Sequence, residues 1–229
     1  GGGWVTGGLD LSQTTPINLC TKANYVVASI GYRLAPETKF PGPVDDCYTA
    51  ANWIRDNAAL LNGIPNKVSV GGSSAGGNLA AVVCLMTRDR GNPNFSFQLL
   101  VYPVISSDTH TESYRLYSTG YGIEKADMDW FVNQYLNDEQ DLLNPYAMPI
   151  NAASLDGLCP ALIITAEYDP LRDEGEAYAN RLRNADVPTD YMCYPGMIHG
   201  FFSMTDILTQ SRVAVNKSAE KLISIFKEL

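Results

Sequence analysis

Histidine is scarce in this chain. Among 229 residues there are two, His110 and His199. That is too few for a His-based metal site of the usual kind. Cysteine offers no substitute. Cys20, Cys47, Cys84, Cys159 and Cys193 form no CxxC pair and no metal-ligand spacing, and their number is odd. They read as buried free thiols rather than a disulfide framework. Free thiols favour a reducing compartment, so the expected location is the cytoplasm, with any signal upstream of Gly1 invisible. Basic residues are few as well: 16 Lys and Arg stand against 25 Asp and Glu, a formal charge of −9. No basic stripe is available to meet phosphate, and nucleic acid is not an expected partner. Apolar runs stay short of the roughly 18 residues that a membrane span needs, so none is expected. No methionine and no signal peptide open the chain, which begins Gly1-Gly2-Gly3-Trp4. The length suits one large α/β domain with a sizeable core.

What is present centres on residues 68–80. Val68 and Val70 alternate with polar residues, as in a short strand. From Ala75 to Arg88 the chain is rich in Ala, Leu, Val and Met, with Leu79, Val82, Val83 and Met86 at helical spacing. Between them, Gly72-Ser73-Ser74-Ala75-Gly76 matches G-x-S-x-G, the nucleophile-elbow pattern. Ser74 is the candidate nucleophile, because position 75 is Ala and excludes Ser73. The strained turn needs small residues at its flanks, and Gly72 and Gly76 are expected to allow a tight backbone path that lifts Ser74. The N–H of Ala75, at the helix start, is aimed where an oxyanion would form.

Around this elbow the pattern alternates. Residues 24–30, 97–101, 161–165 and 189–194 read as further strands. Helices are expected over 44–61, with Ala50, Trp53, Ile54, Ala58 and Leu61 near one face and Gly63 as C-cap, and over 173–185. The C-terminal stretch is expected to be helical with Val213, Leu222, Ile225 and Phe226 inward. A polar stretch at 12–15 leads through Pro16 into a short helix. Strand–helix alternation predicts parallel strands with right-handed crossovers. Residues 106–160 break the rhythm, with one amphipathic helix from about 124 to 136 and no strand. They read as a cap or lid inserted at the sheet's C-terminal edge.

Ser74, Asp169 and His199 then fall after one strand, a later strand and the last strand, on the edge where open α/β sheets bind ligands. Their order is Ser…Asp…His, that of the α/β-hydrolase triad. Ser74 needs a base, His199 can serve near neutral pH, and Asp169 can orient it. Glu167 and Asp173 are rival acids, and His110 lies in the insertion. The opening Gly triplet is either a flexible end or the second half of an HGGG-type oxyanion loop, with Trp4 speaking against a linker.

Together, Gly1-Gly2-Gly3-Trp4, Tyr32-Arg33-Leu34-Ala35-Pro36-Glu37, Gly72-Ser73-Ser74-Ala75-Gly76-Gly77-Asn78-Leu79-Ala80, Asp169-Pro170-Leu171-Arg172-Asp173-Glu174 and His199-Gly200-Phe201 resemble the hormone-sensitive-lipase-like family of α/β-hydrolase esterases. These motifs span nearly the whole chain. The resemblance implies one α/β-hydrolase domain over 1–229: a mostly parallel sheet flanked by helices, with a helical cap at 106–160. It implies a serine carboxylesterase acting on short-to-medium acyl esters, without a cofactor, on small-molecule substrates, with a homodimer as one possible assembly. Carried over by motif, Gly2, Gly3 and Ala75 supply the oxyanion-hole N–H groups. The family's loop begins with a His that precedes Gly1, and its members have Asp or Thr where this chain has Ser73. They also carry strands and a cap segment upstream of the Gly triplet, so N-terminal strands are expected to be missing here. The same family includes non-catalytic hormone receptors that have lost the histidine, which makes a small-ligand receptor the alternative. A peptidase of the wider superfamily fits less well, given the small insertion.

Overall fold

Phe97-Gln98-Leu99-Leu100-Val101 has no polar face to leave in water, and all five residues are buried. Such a strand needs neighbours on both sides and a layer on each face. The computed structural model, which describes residues 1–11 and 13–228, supplies both. Strands β1 (Ser69–Ser73), β2 (Phe97–Val101), β3 (Ala161–Tyr168) and β4 (Thr189–Ile198) form a sheet in the order β1-β2-β3-β4. All pairings are parallel, with Ser73 opposite Val101, Leu100 opposite Ile163, and Ile163 opposite Tyr191. The C-terminal ends of all four strands therefore share one edge.

Seven helices accompany the sheet among the described residues: α1 (Thr14–Ala23), α2 (Gly42–Asp56), α3 (Ala75–Asp89), α4 (Glu112–Tyr117), α5 (Lys125–Tyr135), α6 (Arg172–Asn184) and α7 (Thr209–Glu228). The pleat sorts side chains by parity. Leu100, Ala161 and Ile163 join a core with Val44 and Cys47 of α2, Leu79 and Val83 of α3, and Tyr178 and Leu182 of α6. Phe97, Leu99, Leu162 and Ile164 face the other way, onto Ala214, Val215 and Leu222 of α7. Taking a side chain such as Phe97 or Leu100 fully out of water contributes about 1.5–3 kcal/mol. Helix α3 is buried on every side from Gly77 to Thr87. Its one buried amide there, Asn78, is stabilised by donating to the carbonyls of Val104 (3.0 Å) and Ala147 (2.8 Å).

Several expectations are corrected. Residues 24–30 join no ladder, and Val26 is 59% exposed. A strand is stabilised by backbone pairing, and the described residues offer this stretch no partner. Strand β4 runs past Tyr194 through Pro195 to Ile198, with a register shift between Ala166 and Tyr168 of β3. Proline is tolerated because β4 is an edge strand. Helix α2 ends at Asp56, and Ala58–Leu61 is a separate 3₁₀ turn. The left-handed C-cap is Asn62 (φ 57°), not Gly63. Trp53 and Val213, expected inward, are exposed. Buried positions in α2 are instead Val44, Cys47, Ala51 and Arg55. All five cysteines are free, but Cys20 and Cys193 are exposed. Helix α1 begins at Thr14, before Pro16, and Ser12 lies outside the described residues. No helix among the described residues is long and apolar enough to cross a membrane.

Between β2 and β3, residues 106–160 contain α4, α5 and short 3₁₀ turns, and no strand. Their polar anchors are specific. Ser113 N–H donates to Asp173 Oδ2 (2.7 Å), and Arg88 donates to the carbonyls of Ser154 and Asp156 (2.9 and 3.0 Å).

Candidate active site

Gly72 and Gly76 owe their identity to crowding, not to backbone freedom. Neither has positive φ. A methyl on Gly72 would overlap the carbonyl of Gly76, and one on Gly76 would lie 3.0 Å from Gly1 N. The unusual backbone belongs to Ser74 itself (φ 57°, ψ −124°). A non-glycine residue here is strained and persists only where the surroundings over-determine it. Ser74 N–H donates to Val101 O (2.9 Å), and Ser74 O accepts from Asn78 N–H (3.0 Å) and Val104 N–H (3.3 Å). Strand β2, helix α3 and the 102–105 strip thus grip the elbow together.

Asp169 stands at the end of β3 and is fully buried. His199 follows β4 directly, with left-handed backbone at Gly196 (φ 74°) within the end of the strand and at Gly200 (φ 86°) just beyond it. The three side chains meet. His199 Nε2 lies 3.0 Å from Ser74 Oγ, and His199 Nδ1 lies 2.7 Å from Asp169 Oδ2. Asp169 Oδ1 accepts from Leu171 N–H at 2.9 Å. An ionised carboxylate only accepts, so Nδ1 carries the imidazole proton and Nε2 is left to accept from the serine hydroxyl. The Tyr102 ring, its phenol pushed up by burial, leans on the imidazole (centroids 4.5 Å apart, 50° between planes). No sequence signal singled out Tyr102. Its place beside the histidine comes from β2 and β4 ending on one edge.

The rival residues have other work. Glu167 Oε2 accepts from Gly196 N–H (2.7 Å), bracing the histidine loop. Asp173 holds Ser113 and pairs with Arg172. His110 is exposed and touches Asp108.

The Gly triplet lies against the elbow. A methyl built on Gly1 would stand 3.1 Å from Ser73 O and 3.9 Å from Ser74 Cβ. Gly2 (φ 79°) and Gly3 (φ 57°) are both left-handed. Gly2 O accepts from Val5 N–H (3.0 Å) and Thr6 N–H (2.8 Å), closing a tight turn. The Tyr32–Glu37 motif finds its use here. Tyr32 Oη donates to Gly1 O (2.9 Å), and Ala35 N–H donates to Trp4 O (2.9 Å).

Over residues 1–203 the chain matches a family described as having the α/β-hydrolase fold. The chain belongs to that family. Within this hydrolase-fold family it is 42% identical over 223 residues to the carboxylic ester hydrolase LipN of Mycobacterium tuberculosis, covering 95% of this chain and 59% of LipN. It is 41% identical over 210 residues to the putative alpha/beta hydrolase R526 of Acanthamoeba polyphaga mimivirus, covering 91% and 61%. The solved hyperthermophilic esterase of Pyrobaculum calidifontis superposes with a TM-score of 0.94 at 46% identity, covering 98% of this chain and 74% of that one. The chain thus spans about three fifths of the length of the two curated relatives. The motif resemblance to hormone-sensitive-lipase-like esterases falls inside this same family.

One buried acid beside the Ser74–His199–Asp169 cluster stands apart from it. Glu174 is 2% exposed. Its Oε1 accepts from the N–H groups of Ile105 (2.7 Å) and Ser106 (3.4 Å), and its Oε2 has no partner among the described residues. Burial pushes its carboxyl well above the usual carboxylate range against those two bonds, and the Asp169 charge adds to the rise. The folded protein therefore holds this proton more tightly than the unfolded chain does. That stability is full below the unfolded value of about 4.3 and is lost as pH rises through the folded value. Glu174→Gln, fixed in the neutral form, is expected to lose less stability than wild type as pH rises from about 5. Tm measured across that rise checks this, and parallel curves for the two proteins would refute it.

Proposed function

We propose that this protein is a serine carboxylesterase that hydrolyses short-to-medium acyl esters of small molecules through an acyl-enzyme. The observation that carries the reading is the unbroken relay from Asp169 Oδ2 through His199 to Ser74 Oγ (2.7 and 3.0 Å) on a strained elbow. Relatives named as ester hydrolases support it. The acyl range follows from the motif resemblance.

His199 Nε2 takes the hydroxyl proton as Ser74 Oγ bonds to the ester carbonyl carbon. The carbonyl π pair moves to oxygen, where the N–H groups of Gly2, Gly3 and Ala75 receive it. Asp169 stabilises the imidazolium. Collapse expels the alcohol, which takes the proton from His199. Water, deprotonated by His199, then attacks the acyl carbon; the acyl–Oγ bond breaks, Ser74 Oγ takes the proton back from His199, and the acid is released. In this reading 1–229 is one domain, and 106–160 is the cap that shapes the acyl and alcohol pockets.

A small-ligand receptor on the same fold remains the second reading. It is disfavoured because His199 is present and hydrogen-bonded to Ser74. Treatment with a fluorophosphonate separates the two. The enzyme reading expects one phosphonyl group per chain, attached to the Ser74 peptide in mass spectrometry, with parallel loss of p-nitrophenyl butyrate turnover. Labelling elsewhere, or no labelling at all, would favour the receptor.

A further inference from the structure

Two of the three proposed oxyanion donors, Gly2 and Gly3, sit on a loop of three glycines, the residue type with the most backbone freedom to lose. Something must hold that loop in one conformation. The elbow touches it at Gly1, and Tyr32 and Ala35 hold the carbonyls of Gly1 and Trp4. Gly3 has a different neighbour. The ring of Phe131 lies so close that a methyl on Gly3 would overlap its Cγ and Cδ1 atoms. One turn further along α5, Tyr135 stacks on Trp4 with ring centroids 4.3 Å apart and planes 4° from parallel. Both stacked residues are fully buried. Trp4 Nε1 and Tyr135 Oη have no hydrogen-bond partner among the described residues, so the contact is between ring faces, not polar groups.

Residues 131 and 135 are four apart and share one helix face. That face is itself fixed. At the start of α5, Glu124 and Asp127 form a reciprocal capping box. At its end, Phe40 N–H donates to Tyr135 O (2.8 Å), Lys39 Nζ to Leu136 O (2.7 Å), and Asn137 Nδ2 to Phe40 O (2.7 Å). Phe40 also meets Tyr135 edge to face, at 5.9 Å.

We propose that Phe131 and Tyr135 of α5 are positioning residues that clamp the glycine loop, setting the Gly2 and Gly3 N–H groups where the oxyanion forms. This rests on the esterase reading. The inserted segment would then do more than enclose substrate: its helix completes the geometry of the transition-state site. A ring against Gly3 leaves its left-handed backbone no room to relax, so the donors are pre-organised rather than ordered during reaction.

The test uses the full chain with Phe131→Ala and Phe131→Leu. Active sites are counted by the fluorophosphonate endpoint, so unfolded protein does not enter kcat. Phe131→Ala is expected to lower kcat by about tenfold to a hundredfold, somewhat less than outright loss of an oxyanion donor. KM should stay within about threefold, because the clamp acts on the transition state. Phe131→Leu should recover part of kcat. Affinity for an alkyl boronic acid, whose tetrahedral adduct places an oxygen in the same hole, should fall by a factor similar to that in kcat. Inhibition by the product alcohol should hardly change. A structural role alone would lower Tm and the titratable fraction and leave kcat per site and the boronate-to-alcohol ratio intact, and that result overturns the clamp while leaving the esterase reading standing. Wild-type protein without Ser74-dependent turnover overturns both.

Discussion

Ser74→Ala is expected to lower kcat for p-nitrophenyl butyrate by about 10⁴-fold or more, with folding little affected. The asymmetry follows from what each part of Ser74 does. Its backbone holds the elbow, through Val101 O, Asn78 N–H and Val104 N–H, and alanine keeps all three bonds. Alanine bears the strained backbone of the elbow as serine does, since both carry a Cβ. Only the hydroxyl is lost, with its bond to His199 Nε2. The acyl-enzyme then cannot form, and what persists comes from the oxyanion donors and substrate binding. Steady-state turnover and a thermal melt, measured on the same preparation, check both halves. Near-normal turnover by the folded variant would end the mechanism.

Asp169→Asn is expected to cost about 10⁴-fold in kcat, with KM changed little. The carboxylate accepts twice, from His199 Nδ1 and from Leu171 N–H, in a fully buried position. Asparagine has one acceptor and one donor to offer the same two partners. If its oxygen stays on Leu171, its NH₂ faces Nδ1. The imidazole must then carry its proton on Nε2, pointing at Ser74, and no lone pair remains to take the serine proton. If the amide turns over, two donors meet at Leu171, and an unsatisfied buried N–H costs about 1–3 kcal/mol. Either arrangement disables the base or the fold around it. A variant retaining more than about a tenth of wild-type kcat would remove Asp169 from the mechanism. Neither rival acid is free to replace it, because Glu167 is bonded to Gly196 and Asp173 to Ser113 and Arg172.

The catalytic candidates were legible in the sequence because their signals are local. A short strand, a crowded turn and a long apolar helix mark Ser74 within one continuous stretch. Alternating strands and helices place Asp169 and His199 on the same edge without any knowledge of distance. The elbow glycines were legible too, as small residues flanking a strained turn, but the contacts that demand them were not. Their need for small size comes from Gly76 meeting Gly72 and from Gly1 approaching Gly76, contacts that a one-dimensional pattern does not contain. The strand expected at 24–30 failed for a related cause. β-propensity describes fit to a sheet surface, and among the described residues no sheet is there to receive it. Trp53 and Val213 were misplaced because periodicity finds a face without saying whether another element covers it.

Sequence by itself determined the α/β-hydrolase class, the parallel run of the strands and the choice of Ser74, Asp169 and His199 as candidates. These depend on local backbone preference and on a topology with few alternatives. Only the tertiary structure decided how the glycine loop is held. Phe131 lies 128 positions from Gly3 and Tyr135 lies 131 from Trp4, so no spacing rule connects them. They meet because the helix inserted between β2 and β3 packs on the chain's first residues, and that packing is a property of volume and shape rather than of pattern.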